Sequence, residues 1–414
     1  MTSPSSANIK RIHPNVWVLS LASFLTDVSS EMIANLLPLF LFNILGVRTT
    51  FIGLIEGVAE TTASLVKIFS GSLSDRMKKR KMLTILGYTL STLAKPFLYL
   101  ANSWTWVLGV RFTDRVGKGI RTAPRDALLA ESVQSTQRGF AFGLHRAGDT
   151  AGAFTGLGIA AAIIWFNQSG SALLTRSTFQ VIILASIIPA ALAVLVLVLG
   201  LREISPQGKD NPENAKIQSK ERKLDKRFVI FLIIIVLFTL GNSSDAFIIL
   251  RSQERGLSVM EILGMLLTFN AIYSLLSGPA GSLSDRIGRR QLMVAGWLVY
   301  ALVYIGFATA QNGTQIWALF AIYGIYYALT EGVAKALIAD FIQKEQLGLA
   351  FGLFNGAIGL TALPASFIAG VLWQGIGNWG GFGASAPFYF GALMALLAGS
   401  LLMITNKKRA SLEN

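Results

Sequence analysis

No cysteine occurs among the 414 residues, and histidine occurs twice, at His13 and His145. The first absence excludes disulfides, thiolate metal sites and a cysteine nucleophile. Charge is scarce as well: 14% of residues are Asp, Glu, Lys or Arg, against about 25% in a soluble domain. The chain has no phosphate loop, no His-Glu-x-x-His zinc motif and no Gly-x-Ser-x-Gly elbow, so ATP hydrolysis and covalent catalysis lack a signature. No enzyme activity, bound metal or resident cofactor is expected.

Hydrophobic residues, by contrast, make up 53% of the chain. They fall in recurring runs of about 20, each long enough to cross a bilayer. No water-soluble core would bury them all, so the chain reads as an all-α protein integral to a lipid bilayer. Twelve spans are expected, near 16–45, 50–74, 82–101, 104–130, 138–166 and 177–200, then 228–250, 258–284, 291–310, 314–341, 347–374 and 384–405. They divide the chain into an N-terminal tail (1–15), a six-helix bundle (16–200), a connector (201–227), a second six-helix bundle (228–405) and a C-terminal tail (406–414). The connector is polar and contains Pro206 and Pro212, which suits a partly disordered link. The N-terminal tail lacks the n-region and cleavage site of a signal peptide, and the first apolar segment is too long for an h-region.

The formal net charge of +14 is placed as an orientation signal rather than as a nucleic-acid surface. One set of loops holds Arg76, Lys78, Lys79, Arg80 and Lys81, then Arg286, Arg289 and Arg290; the connector and Lys407, Lys408 and Arg409 lie on the same side. The opposite loops hold Arg48, Arg176, Arg251 and Arg255. The basic side is the cytoplasmic one by the positive-inside rule, so both termini are expected there.

The chain also repeats itself. Gly71-Ser-Leu-Ser-Asp75-Arg76 returns 210 positions later as Gly281-Ser-Leu-Ser-Asp285-Arg286. At an offset of 209, Ala127-Leu-Leu-Ala-Glu131 matches Ala336-Leu-Ile-Ala-Asp340, and Ala141-Phe-Gly-Leu144 matches Ala350-Phe-Gly-Leu353. Gln134, Gln137 and Gly139 likewise match Gln343, Gln346 and Gly348, and Ser29-Ser30-Glu31 aligns with Ser243-Ser244-Asp245. Two parallel copies of a membrane unit suit a transporter that rocks its halves around a central site. The repeat also identifies span 4 as a membrane helix despite its charges, because its counterpart near 314–341 is plainly apolar.

The hinges resemble the Gly-x-Leu-x-Asp-Arg-x-Gly-Arg-Arg motif of the major facilitator superfamily. The second copy fits, and the first has Lys78 where the pattern has Gly. Arg115-Val-Gly-Lys118-Gly119 is loosely similar to the Arg-x-x-Gln-Gly motif of proton-coupled antiporters, with Lys118 replacing Gln. Gly143, Gly148, Gly152 and Gly156 in span 5 resemble the antiporter glycine motif without its Gly-Pro. The block Gly117-Lys-Gly-Ile-Arg121-Thr-Ala-Pro-Arg125-Asp126 resembles a bacterial subgroup of permeases. The resemblance implies two pseudo-symmetric six-helix bundles in a bacterial inner membrane.

Several constellations are candidates for function. In span 4, Arg111, Asp114, Arg115, Lys118, Arg121, Arg125 and Asp126 fall within an arc of about 140° on a helical wheel. A charge at the bilayer centre costs roughly 2.5–3.5 kcal/mol on an insertion scale, so this arc faces other helices or water. The deep members Arg111, Asp114, Arg115 and Lys118 either bind solute and protons or form an internal ladder. Asp27 and Glu31 in span 1 either carry protons or neutralise the span 4 arginines. Glu56 and Glu60 in span 2 share a face with Lys67, which suits a pairing or an outer gate. His145, Arg146 and Asp149 are further coupling or substrate candidates in span 5. The expected cytoplasmic gate comprises Gly71, Asp75, Arg76, Arg121, Arg125, Asp126, Gly281, Asp285 and Arg286, with Asp75 and Asp285 pairing with span 4 or capping a helix of the opposite half. The C-half offers Asn242, Asp245, Glu331 and Lys335, with Glu261 also expected inside the membrane. Tyr300, Tyr304, Tyr323, Tyr326, Tyr327 and Phe269 are either core packing or an aromatic surface for an organic solute.

The resulting expectation is a monomeric secondary transporter that exports a small organic molecule by alternating access, with protons as coupling ions. The alternatives are a proton symporter or uniporter of an organic anion, a divalent-metal exporter using Asp27, Glu31, His145 and Asp149, and a non-transporting receptor or scaffold.

Overall fold

A computed structural model describes residues 12–77, 79–134, 137–168, 171–204, 225–342 and 346–410. Residues 1–11 of the expected N-terminal tail, 205–224 of the connector, Lys78, Gln343, 411–414 and the side chain of Asp75 lie outside the described set. No strand occurs among the described residues. The N-half contains Pro14–Ala34 continued by Leu37–Leu39 and the π turn Phe40–Ile44 (span 1), Thr49–Met77 (span 2), and Arg80–Ala94 continued by the 3₁₀ turn Lys95–Leu100 (span 3). Trp104–Glu131, Arg138–Asn167 and Arg176–Gly200 complete it as spans 4 to 6. The C-half contains Lys226–Gly241 followed by Ala246–Glu254 (span 7), Val259–Ile287 (8), Arg289–Thr309 (9), Gly313–Phe341 (10), Leu347–Gln374 (11) and Ala386–Ala410 (12).

Nine of the described helical segments are long and apolar enough to cross a membrane, namely spans 1 and 5 to 12. Spans 2, 3 and 4 fall outside that group and all belong to the N-half. Within them Glu56, Lys95, Arg111 and Arg121 are buried against neighbouring helices. The end opposite the hinges is defined by side-chain caps: Ser103, Thr175, Ser258 and Asn312 accept backbone N–H bonds at the starts of spans 4, 6, 8 and 10. Each satisfies a donor that the helix leaves unpaired. Glu261, expected inside the membrane, instead completes a capping box with Ser258 in the first turn of span 8, where a carboxylate complements the helix dipole.

Spans 1 and 7 are both interrupted. Span 1 breaks at Asn35 and Leu36 and restarts into Pro38, which has no N–H to give to the preceding turn. Span 7 runs as non-helical backbone from Asn242 to Ser244, and Asp245 takes the N-cap position of its second part. Broken membrane helices occur where backbone lines a cavity or is buried in protein.

The halves are fastened at the end opposite the hinges. Asn43 Nδ2 donates to Gln253 Oε1 at 3.0 Å, the Thr49 N–H donates to Gln374 Oε1 at 2.7 Å, and the Thr50 hydroxyl donates to the Gly375 carbonyl at 2.6 Å. Spans 2 and 11 approach so closely that a Cβ on Gly370 would lie 2.5 Å from the Thr49 carbonyl oxygen. At the hinge end Asp285 makes no bond to the opposite half among the described residues. It lies 3.4 Å from Arg289, which also bonds Asp340 at the end of span 10. The first half repeats this fastening, with Arg80 paired to Glu131 at the end of span 4. Arg76, Gly281 and Arg286 are exposed, while Gly71 is half-buried. Arg80 therefore ties span 3 to span 4, and Arg289 ties span 9 to span 10, each within its own half.

Candidate functional site

Span 2 sets two acids one turn apart, and span 4 presents two arginines at the same spacing. Arg111 Nη2 donates to Glu56 Oε1 and Oε2 at 3.1 and 3.0 Å, and Arg115 lies 3.4 Å from Glu60. These span 2 acids, not Asp27 and Glu31, partner the span 4 arginines, and Lys67 pairs with neither of them. Asp114 sits 4.0 Å from Arg115 Nε. Arg121 donates to the Ser91 hydroxyl at 2.7 Å and covers the face of Tyr88 at 4.5 Å. It is a buried residue of the N-half interior.

Behind this ladder lies a cavity of about 290 Å³ near mid-depth, lined from span 1 by Asp27, Ser30 and Glu31 and from span 4 by Arg111, Asp114, Arg115, Lys118 and Arg121. Lys95, absent from the sequence-based candidates, completes it from the 3₁₀ turn of span 3. It is 6% exposed and donates to the hydroxyls of Ser29 and Ser30. A lone lysine before a proline inside an otherwise apolar run was the available signal. Neither Asp27 nor the Lys118 ammonium makes a hydrogen bond or ion pair among the described residues. Glu31 accepts a bond from Asn35 at 2.8 Å. Span 5 fixes Asp27 by close packing: a Cβ on Gly152 would lie 2.5 Å from the Phe24 carbonyl oxygen and 3.0 Å from Asp27 Cβ.

A second cluster lies nearer the hinges. His145 is 3.5 Å from Asp149, which accepts a bond from the Ser23 hydroxyl at 2.6 Å. Arg125 reaches the same hydroxyl at 3.3 Å and pairs with Asp126 at 2.8 Å. His145 is 5% exposed and its Nε2 has no hydrogen-bond partner among the described residues. Arg146, one residue on, points elsewhere: it donates to the Tyr273 hydroxyl at 3.0 Å and lies 4.0 Å from Glu331, so it bridges the two halves. Asp27, Glu31, His145 and Asp149 do not assemble into a metal site. No group of three or more potential acid or histidine ligands comes together among the described residues.

The C-half is built differently. Tyr300, Tyr304, Tyr323 and Tyr326 are buried and stack on one another, with Tyr300 and Tyr304 centroids 3.9 Å apart. Tyr323 donates to Asp245 at 3.1 Å, and the Tyr300 hydroxyl lies 3.4 Å from Asn242 Oδ1. Glu331 accepts from Tyr273 and lies 3.8 Å from Lys335. A cavity of about 310 Å³ opens between spans 7, 9, 10 and 11, with Phe238, Trp297, Tyr326, Tyr327 and Phe354 in its wall.

The family model of the Major Facilitator Superfamily matches residues 19–269 and 233–414. The chain belongs to the major facilitator superfamily. An uncharacterized MFS-type transporter of Methanocaldococcus jannaschii is 35% identical over 407 residues, covering 96% of each chain. The multi-drug resistance efflux pump PmrA of Streptococcus pneumoniae is 23% identical over 390 residues, 91% of this chain and 92% of that one. Among solved structures, a D-xylose-proton symporter shares the fold with a TM-score of 0.75 at 17% identity, over 94% of this chain and 96% of that one. This major facilitator protein is thus a multi-pass membrane transporter and not an enzyme. The two pseudo-symmetric six-helix bundles expected from the repeat are the fold of that superfamily.

Proposed function

We propose that the protein is a secondary active transporter that exports a small organic solute across the bacterial inner membrane by alternating access, coupled to protons, with both termini in the cytoplasm. The observation that carries this reading is the N-half cavity. It holds Asp27 and Glu31 at mid-depth without a basic partner in bonding distance, beside Lys95 and Lys118. Carboxyls inside a membrane bundle are the usual proton relays of pumps and transporters. The fixed pairs Glu56–Arg111 and Glu60–Arg115 form the scaffold, and Asp27 and Glu31 exchange protons within it. Export is the direction supported by the name of the Streptococcus pneumoniae relative. The His145–Asp149 pair links the cavity to the hinge side and serves as a relay for the departing proton.

The test is proton release from purified protein in weakly buffered solution, on addition of organic cations, anions and neutral solutes. Release on binding, lost in Asp27→Asn, is the expected result. Binding with no proton change in any case would sink the coupling. A second reading, proton symport of an organic anion, draws on Lys95 and Lys118, which have no carboxylate within ion-pair distance among the described residues. It is distinguished by proton uptake on binding.

A further inference from the structure

The duplication allows the two cavities to be compared position by position. With the offset of 209, Gly87 corresponds to Gly296 (87 + 209) and Arg121 to Thr330 (121 + 209). The contacts agree: a Cβ on Gly87 would meet Arg121 Cβ at 2.7 Å, and one on Gly296 would meet Thr330 Cγ2 at 2.4 Å. The crossing of spans 3 and 4 thus recurs as the crossing of spans 9 and 10. In the same register Lys95, Asp114 and Lys118 of the charged cavity become Tyr304, Tyr323 and Tyr327. Tyr304 and Tyr323 are buried in a stack of rings, whereas Tyr327 and Thr330, the counterparts of Lys118 and Arg121, line the C-half cavity beside it.

Resting on the proton-coupled reading above, we propose that the transported solute is an aromatic molecule held in the C-half cavity against Tyr326 and Tyr327 of span 10. The cavity of about 310 Å³ lies within the ~300–1,000 Å³ typical of small-ligand sites. Its charged lining among the described residues is the Glu331–Lys335 pair, separated by 3.8 Å and so mutually compensated. What remains is aromatic rings and the aliphatic side chains of Ile235, Met293, Ala334 and Ile358, together with polar groups from Thr239, Asn242, Thr330 and Asn355. An apolar wall carrying a few placed polar groups selects a flat organic solute with a polar substituent. Tyr327 is half-buried and held upright by edge contacts to Tyr326 at 5.1 Å and Phe269 at 5.3 Å. Behind it, Tyr300, Tyr304 and Tyr323 form a buried stack that leaves the wall little freedom to move. The N-half cavity offers no such surface, since its apolar lining is Ile33, Ala34, Leu98 and Val110.

The two cavities divide the work, with protons in the N-half and the solute ring in the C-half. Tyr327, Glu331 and Lys335 line both this cavity and the adjoining one that Arg146 enters from the N-half. Occupation of the ring site is therefore sensed directly at the interface between halves, through Glu331.

The experiment uses full-length protein in nanodiscs and equilibrium dialysis against empty nanodiscs. The probes are 2-naphthol, 1-naphthoate and 1-naphthylmethylammonium, with decahydro-2-naphthol as the ring-saturated control. Saturable binding of at least one naphthalene probe is expected, about tenfold tighter than the saturated control. Tyr327→Ala and the cavity-filling Ala334→Trp are each expected to weaken it by about tenfold or more, while Tyr327→Phe and Asp27→Asn retain it. Quenching of tryptophan fluorescence by the bound probe is expected to diminish in Trp297→Phe, which places the probe in this cavity. Lack of saturable binding by all three naphthalene probes overturns the proposal. So does equal affinity for the saturated control, or an unchanged Kd in both Tyr327→Ala and Ala334→Trp. Aromatic binding without proton movement would keep this site and remove the coupling. Proton movement driven by non-aromatic solutes alone would do the reverse.

Discussion

The two halves share a backbone plan and differ in how they hold it together. The N-half joins span 4 to span 2 by Glu56–Arg111, span 4 to span 3 by Arg121 on Ser91, and span 3 to span 1 by Lys95 on two serines. The C-half uses stacked Tyr300, Tyr304, Tyr323 and Tyr326. Buried ion pairs and buried rings fill similar space, but their energetics differ. A buried pair repays its desolvation only when both partners stay. A ring repays its burial through area and packing and has no partner to strand. An N-half made of ion pairs is therefore sensitive to any event that changes one charge. That is a weakness in a scaffold and an advantage in a coupling device. The C-half is a passive, well-packed wall by comparison.

Substitution at equivalent positions breaks this comparison most directly. Arg111→Leu strands Glu56 in the interior and is expected to destabilise by about 3–5 kcal/mol. Its counterpart Phe320→Leu (111 + 209 = 320) trims a buried ring for about 1 kcal/mol. Thermal unfolding of both in the same detergent checks the order, and the double variant Glu56→Leu/Arg111→Leu is expected to recover most of the loss. Equal melting shifts in the two single variants would mean that the N-half is not held by its charges.

Gly152→Ala comes next. Its Cβ would lie 2.5 Å from the Phe24 carbonyl oxygen, so spans 1 and 5 must separate, at about 1–3 kcal/mol. Because Asp27 sits at the same contact, proton release should fall along with the melting temperature. Unaltered proton release would separate packing from coupling.

Asp245→Asn sharpens the comparison without a large stability effect. Asp245 accepts one bond from Tyr323, and an amide oxygen accepts it equally well, so the expected change is about 1 kcal/mol or less. Proton release should persist in this variant and vanish in Asp27→Asn. Loss in both would place coupling in the two halves alike.

The smallest effect is expected for Arg146→Ala. Its pair with Glu331 is long, at 4.0 Å, and well exposed, which limits it to about 1 kcal/mol or less. The readout is cross-linking between spans 5 and 8, where a modest rise in separation is expected with melting unchanged.

Much of the architecture was legible in the sequence. The apolar runs and the repeated hinge located the spans to within a few residues, and span 4 was recovered through its counterpart despite its charges. The breaks in spans 1 and 7 were missed, although Pro38 and the run Asn242-Ser243-Ser244 were the signals. Hydropathy averages over a window and does not register a short interruption. The candidate residues of span 4 were assembled on one face by helical periodicity alone, and the structure lines the N-half cavity with Arg111, Asp114, Arg115, Lys118 and Arg121. Their partners were not legible. Glu56 and Glu60 were read as sharing a helix face with Lys67 and suiting a pairing or an outer gate, and the partners they meet, Arg111 and Arg115, lie on another helix. His145 and Arg146 were grouped because they are adjacent, yet successive helical residues diverge by about 100°, and the two serve different neighbours.

The sequence alone determined what depends on local composition and on self-similarity: a duplicated membrane chain, the order of its spans, the charged loops and the face each charge occupies. Those properties follow from hydrophobic period and from helix geometry, which act over a turn or a span. The tertiary structure decided which charge meets which. Arg111 and Glu56 are 55 residues apart, and their meeting depends on the rotation and depth of two helices packed through glycine crossings. The same packing placed Lys95 on a cavity wall, buried most of the tyrosines and left Tyr327 half-exposed. Side-chain pairing across helices is a matter of ångströms, and no periodicity within one helix carries that information.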